Sequence, residues 1–554
     1  MHASNPEAKF ALAHSRPSPR FGALASLVAS GIVSFATVSA RAEESPVPAP
    51  PTVVEPAASP TPIVTPPAVP ERSGDRDFWH RNTSGYVGGQ FYLRSEDDAF
   101  ILYPQARLQM DTYGYGGAGV ADFQRSDGTG LKAGTFDKRS RVEMRGRFLH
   151  DWYFQLSGDF ATGNSVAAGQ TVKPNAIPTD VWVGFEASHA FALQVGQFDI
   201  PFTNENLWTD KFFDFMERSL TVRAVGAPFN KDLGVMARGE SGDWGKSMFG
   251  YAVAFVGGNG QNRPAIDNRG DVAARVYVRP FMGSGGPMEK AHLGLSARYG
   301  QRDPSFIRYD APGLSTPGGY TFFSSTYKDS AGKTVHILPD AAQSALGFDF
   351  FLPIDAFDLK GEVVYLNEGR RESFDDPNNA GTAQGNIERT GSLKGLSYYV
   401  QAAYWLMGKP RGNPGDPGIG SLPKRHLEEK PMDHALQLVA RFEQMMLTYD
   451  SIDRSGGVTD VSRGGKDAVT RDIKVNDFQL AANYWASKHV RVTLEWSMYM
   501  FPGTPPADPG FKTAADANLA GGPGSGVVGD DGKTKRGKDA STLHEISFRV
   551  AFAI

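Results

Sequence analysis

Between residues 139 and 147 the chain sets Arg139, Arg141, Glu143, Arg145 and Arg147 at alternate positions, with Val142, Met144 and Phe148 on the other parity. In an extended strand alternate side chains share a face, so four guanidinium groups and one carboxylate line one surface. Guanidinium groups stay protonated and present a hydrogen-bonding fork that matches oxyanions, so the chemistry open to such a face is the attraction of anions. A second reading makes the same face a salt-bridged wall, in which Arg107 pairs with Asp111 and Glu143 with its neighbours. Lys138 has the opposite parity and is expected near a rim or in a bulge. An arginine facing lipid near the midplane costs about 2–4 kcal/mol. Four of them must therefore point into an interior of their own.

The elements that could supply that interior are strands. In the run from Gln105 to Asp111 the odd positions are polar and Ala106, Leu108 and Met110 are apolar. The same period of two recurs in windows at 139–148, 152–160, 180–185, 191–198, 231–240, 248–256, 272–278 and 293–299. It continues at 345–351, 357–366, 398–406, 435–445, 475–485, 490–499 and 543–554. With a first strand near 99–114 these make about sixteen strands. Connections such as His150-Asp151, 187–189, 353–356 and Ser487-Lys488 are short, and the alternate ones are long, which is the pattern of an up-and-down membrane barrel. Residues 407–432 depart from it, being long on the nominally short side. In the last window Ile546, Phe548, Val550, Phe552 and Ile554 share a face, and a closing strand is required because lipid tolerates no open sheet edge. Beyond residue 42 no run of about 18 apolar residues could cross as a helix. The expected fold is all-β: a transmembrane antiparallel barrel. Six tryptophans, Trp152, Trp182, Trp244, Trp405, Trp485 and Trp496, lie near strand ends and are expected in the interfacial girdles.

The N-terminus reads as an export signal. Lys9, Arg16 and Arg20 precede an apolar stretch from Ala23 to Val38, and Ala40-Arg41-Ala42 offers a small-x-small cleavage site. Residues 1–42 are expected to be a cleaved signal peptide, 43–77 a Pro-rich periplasmic linker, and 78–554 the barrel. The linker cannot form a ladder or a helix, since proline lacks the amide donor; inert spacing is favoured over contact with peptidoglycan. Removing 1–42 takes away Lys9, Arg16, Arg20, Arg41 and Glu7, so 53 basic residues face 60 acidic ones and the net charge falls from −4 to −7. A nucleic-acid partner does not fit that balance. Cysteine is absent, which removes thiolate metal sites. No cofactor is implied, and no Ser-His-acid set stands out, so enzymatic activity is not expected. Glu205, Asp210, Asp214 and Glu217 admit a divalent-cation reading, outweighed by exposure to water or pairing with a nearby Lys or Arg.

Taken in order, a series of segments resembles the phosphate-selective porins of the O/P type. It comprises Lys138-Arg-Ser-Arg-Val-Glu-Met144, Asp151-Trp152, Gly196-Gln-Phe-Asp-Ile-Pro-Phe202, Met216-Glu-Arg-Ser219 and Asp232-Leu-Gly-Val235. Further on come Asp271 to Phe281, Gly361-Glu362, Tyr398-Tyr-Val-Gln-Ala402 and Asn483-Tyr484-Trp485. The resemblance implies a sixteen-stranded outer-membrane barrel, usually a homotrimer, with a loop folded inward between the Gly196 motif and the Asp232 strand. It also implies an arginine ladder guiding small anions, such as phosphate or phosphorylated solutes, to a constriction. On that pattern Arg107, Lys138 and Arg139 match ladder positions, continued by Arg141, Arg145 and Arg147. Asp180, Asp199, Asn206, Lys211 and Arg218 fall in the constriction region. Asn206 stands where phosphate-selective members place a lysine, and Arg141 and Asp199 where an aromatic residue can stand, so phosphate preference is left open. The alternative is a non-selective or plugged structural or adhesive barrel.

Overall fold

The computed structural model describes residues 83–87, 90–117, 131–161, 176–226, 230–242, 246–263, 267–302, 313–323, 326–328, 334–373, 387–408, 433–453, 468–501 and 542–554. The expected signal peptide, the linker, Trp244 and the connection 409–432 lie outside the described residues.

Sixteen strands build one sheet: β1 (Phe100–Gly116), β2 (Gly134–Phe148), β3 (Trp152–Asp159), β4 (Ile177–Ser188), β5 (Phe191–Asp199), β6 (Lys231–Glu240), β7 (Phe249–Val256) and β8 (Asp271–Val278) form one half. The other half is β9 (His292–Arg302), β10 (Thr334–Ile354), β11 (Phe357–Ser373), β12 (Ile387–Met407), β13 (Asp433–Asp453), β14 (Ala468–Ser487), β15 (Val490–Met500) and β16 (Thr542–Ala553). Each strand pairs antiparallel with the next. β16 then pairs with β1, from Ala553↔Arg107 to His544↔Gly116, which closes the barrel. Closure satisfies every ladder without an edge, as a sheet in lipid must.

Every window of alternation coincides with one of these strands, 99–114, 152–160, 248–256 and 543–554 overrunning theirs by one residue. The strands of the second half are longer than their windows: β12 starts at Ile387 and β14 at Ala468. In those extensions the outward positions carry Ser392, Lys394 and Lys474. Apolar alternation marks only the stretch whose outer face meets lipid, whereas the hydrogen-bonded ladder continues above it.

The outer surface is apolar and the inner one polar. Val142, Met144, Val253, Phe255, Leu295 and Leu494 are exposed, while Arg139, Glu143, Arg147, Arg441 and Arg549 are buried inside. Ile546, Phe548, Val550 and Phe552 share the outward face of β16. Trp152 also faces outward, but Trp182, Trp405 and Trp485 are buried on the inner parity. These three are corrections to the girdle assignment: Trp405 shares parity with Tyr399 and Gln401, which fixes its side.

A short hairpin, Ser84–Val87 with Gln90–Arg94, pairs with β1 at Leu93↔Leu102 and Arg94↔Ile101. It occupies the edge of β1 below the point where β16 ends, since the last ladder bonds there join Ala106 and Ile554. Tyr86 of the hairpin contacts His489, whose Nδ1 lies 2.6 Å from the carbonyl of Ala553.

The largest apolar cluster among the described residues lies inside the barrel. Leu314, Tyr320, Phe322 and Phe323 pack with Leu220 and Val225 and with inward residues such as Leu366, Leu447, Val475 and Tyr499. Glu545 on β16 secures that segment, accepting from Thr316 Oγ1 at 2.6 Å and from the Gly318 amide at 3.1 Å.

Candidate functional site in the barrel lumen

The site begins where β5 stops. Gly196 has φ +134°, and a Cβ there would lie 2.2 Å from the carbonyl oxygen of Val181, so only glycine fits. Pro201 cannot donate to the ladder, and Thr203 turns at φ +64°. The chain then leaves the wall as an inner loop, described over 200–226, carrying a 3-10 turn (Glu205–Leu207) and helix α1 (Leu220–Val225), whose Ser219 hydroxyl caps the amide of Val222 at 3.1 Å.

Wall side chains bind the backbone of this loop from several strands. Glu362 on β11 accepts from the amides of Asn204 and Glu205 at 3.0 and 2.7 Å. Glu495 on β15 accepts from Met216 at 2.7 Å, and Glu443 on β13 from Thr221 at 3.3 Å. Asn483 on β14 donates to the carbonyl of Asp214 at 2.6 Å, Gln109 on β1 to that of Asp210 at 3.3 Å, and Arg549 on β16 to that of Met216. The loop is therefore held across the lumen by carboxylate–amide bonds, which are stronger than neutral ones.

On the β1–β2 side the loop brings acids to the ladder. Arg139 forms a two-pronged pair with Glu217, at 2.8 and 2.9 Å, and its Nε lies 2.8 Å from Asp210. Arg141 donates to Asp159 at 2.6 Å and to Asp210 at 3.1 Å. Arg107 pairs with Glu143 and Asp210, not with Asp111, which is taken by Arg549 at 2.6 and 2.7 Å. The β1–β2 register shifts between Gln109 and Met110, and this bulge lets Lys138 reach Glu217 at 3.7 Å. Arg147 pairs with Glu186 on β4, toward the short-turn end. Arg145 has the same parity and is partly buried.

The constriction candidates divide in two. Lys211 donates to Gln105 at 2.8 Å and lies 3.7 Å from Glu143. Asp180 and Asp199 both pair with Lys231, at 2.7 and 2.8 Å. Asn206 and Arg218, by contrast, brace the loop itself. Asn206 is fully buried and its amide donates to the carbonyls of Ile200 and Asn230, the two ends of the loop. Arg218 donates to the carbonyls of Glu205 and Asn206 at 3.2 and 3.0 Å. Lys231, Asp210, Glu217 and Arg549 were missed as ladder partners. Strand parity gives the side of Lys231 and Arg549, but nothing in the sequence gives the register of the loop against the wall.

Burial pushes the Lys211 ammonium down to about 8, against the pull of Glu143. Burial alone would raise the Glu217 carboxyl, but Arg139 and Lys138 outweigh it and hold it well below the usual range. Each loop acid is paired: Glu205 with Arg441, Asp210 with Arg107, Arg139 and Arg141, Asp214 with Lys360, and Glu217 with Arg139 and Arg549. The cation-binding alternative for these acids is thereby answered by ion pairs.

The family model for phosphate-selective porin O and P matches residues 112–498. The chain belongs to that family. The match spans the ladder strand β2, the inner loop and most of the wall strands that hold it, while Arg107, Gln109 and Asp111 on β1 and Arg549 on β16 of this outer-membrane porin lie outside it. No curated protein matches the chain. Among solved structures, this porin is similar to OmpT of Vibrio cholerae, in-vitro folded, with 9% identity, a TM-score of 0.43 and coverage of 84% of this chain and 99% of that one. Salmonella typhi OmpF in complex with daunomycin shows 9% identity and a TM-score of 0.43, covering 83% and 100%. The anion-selective porin from Comamonas acidovorans shows 10% identity and a TM-score of 0.39, covering 82% and 100%. These likenesses are too distant to add to the strand pairing described above.

Proposed function

We propose that this porin is a passive diffusion channel for small anions, made after removal of a signal peptide at 1–42, with 43–77 as a periplasmic spacer. The observation that carries the reading is the ion-pair network where the inner loop meets β1 and β2. Six cations, Arg107, Lys138, Arg139, Arg141, Lys211 and Arg549, meet five carboxylates, Asp111, Glu143, Asp159, Asp210 and Glu217. The balance is one positive charge, supplemented by Arg145 on the same face, in a tube whose low-dielectric walls weaken screening. Phosphate itself is the less favoured solute, because Asn206 is spent on bracing the loop. A homotrimer is what the family resemblance implies.

Reversal potentials of the purified protein in a chloride gradient test this reading: a potential of the sign given by chloride flux is expected, and a cation-signed one overturns it. N-terminal sequencing of the mature chain should begin at Glu43. The apolar cluster around Phe322 favours a second reading, a barrel plugged on one side; absence of single-channel current would select it.

A further inference from the structure

On the short-turn side of the inner loop, aromatic side chains and one arginine form a group that the anion ladder does not use. Trp405 on β12 and Trp485 on β14 face inward on either side of Ala435 on β13, with Phe212 of the loop packed against them. The rings of Phe212 and Trp485 stack at 6.2 Å. Arg491 on β15 is the cross-strand neighbour of Trp485, and its guanidinium carbon lies 5.1 Å from the centre of that indole.

Arg491 is 2% exposed. One nitrogen, Nη1, donates to the carbonyl of Phe213. Nε and Nη2, which make up one edge of the fork, are buried without a partner, and so is the indole Nε1 of Trp485. Neighbouring charges are committed elsewhere. Arg549 holds Asp111 and Glu217, and Asp214 is taken by Lys360, Gln401 and Gln437. Asp358 on β11 lies beside the Trp405 indole. A buried guanidinium with two idle donors is costly unless something accepts from it.

We propose that Arg491 and Trp485, with Phe212, form a binding site for a carboxylate attached to a planar apolar group, an aryl carboxylate in chemical class. The free edge of Arg491 presents two parallel N–H groups, which match the two oxygens of a carboxylate. The apolar group beside it is Trp485, Trp405, Ala435 and Phe212, which offers a phosphate's remaining oxygens few donors to replace their water. An aromatic ring, in contrast, gains stacking contacts with Trp485 and Phe212. The site deepens the channel reading by adding a class of organic anion, and it rests on that reading only for access to the lumen.

Benzoate titrated calorimetrically into the detergent-purified protein tests the site without requiring conduction. Benzoate is expected to bind at least about tenfold more tightly than acetate, with no competition from inorganic phosphate. Arg491→Lys, which keeps the charge but loses the fork, and Trp485→Phe, which loses the N–H, should each weaken benzoate at least about tenfold. Folding of each variant is checked by its heat-modifiable mobility. Benzoate that binds no better than acetate, or equally well to Trp485→Phe, overturns the proposal; these two comparisons stand even if Arg491→Lys does not fold. Benzoate binding in a protein that passes no current would support the site while removing the channel reading.

Discussion

The inner wall of the barrel has two halves that the same alternation produces and that behave differently. From β1 to β7 three charges are only partly covered, the side chains of Lys138, Arg141 and Asp199 keeping 22%, 17% and 26% of their exposure, beside buried ones such as Arg139, Glu143 and Arg147. From β8 to β16 the inward arginines Arg275, Arg441 and Arg549 are sealed, and most of the apolar interior cluster sits among them. The difference comes from what the loops bring. To β1 and β2 the inner loop offers Asp210 and Glu217; the other half receives Glu205 and Asp214, backbone amides and α1 from it, and residues 313–323 besides. Parity decides whether a side chain points inward, but loops decide whether it meets water or protein. The proposed solute path accordingly lies along the β1–β7 half.

The largest expected effect concerns that path. Replacing Arg139, Arg141 and Arg145 together by Glu changes six units of charge on one face, and reversal potentials should switch from anion to cation preference; retained anion preference would make the ladder a wall and not a selector. A smaller effect should come from the packed half. Phe322→Ala removes a fully buried ring, at a cost of about 3–5 kcal/mol. The temperature at which the folded gel band disappears should fall, while the sign of the reversal potential stays unchanged; a reversed sign would show that the halves are not separate. The smallest effect is a titration. Lys211, held at about 8 by burial, loses its charge as pH rises through that value, so anion preference should weaken modestly between pH 7 and pH 9. The same change in Lys211→Met would assign the titration to another group.

Much of the fold was legible because a closed barrel in lipid leaves its mark on every strand. Val142, Met144 and Phe148 against Arg139, Arg141 and Arg145 specify facing without any tertiary knowledge. The ladder partners were not legible in the same way. Asp210 and Glu217 lie 69 and 78 residues from Arg141 and Arg139 along the chain, and their register depends on bonds from Glu495, Arg549 and Gln109 to the loop backbone, which carry no side-chain signature in the loop sequence. Asn206 shows the limit most plainly. Its position was read by likeness as part of the constriction, yet its amide is turned onto the carbonyls of residues 200 and 230. Lys138 was more tractable, since a charge on the wrong parity signals a bulge and the register shift at Gln109 supplies it.

The barrel is also uneven in height. β3, β7 and β8 have 8 residues each and β5 has 9, whereas β10, β12 and β13 have 21. A tilted strand needs about 9–11 residues to cross the hydrocarbon layer. Apart from β4, with 12 residues, the low wall, with Val195, Leu233 and Phe255 on its outer face, is thus at or below the thickness of the bilayer. Lipid beside it must thin, at a cost for every ångström of mismatch. That cost acts as an attraction between low walls. Copies of the chain meeting along β3–β8 would remove the thinned lipid and leave only tall walls facing the membrane, so hydrophobic mismatch gives the proposed trimer both its driving force and its orientation.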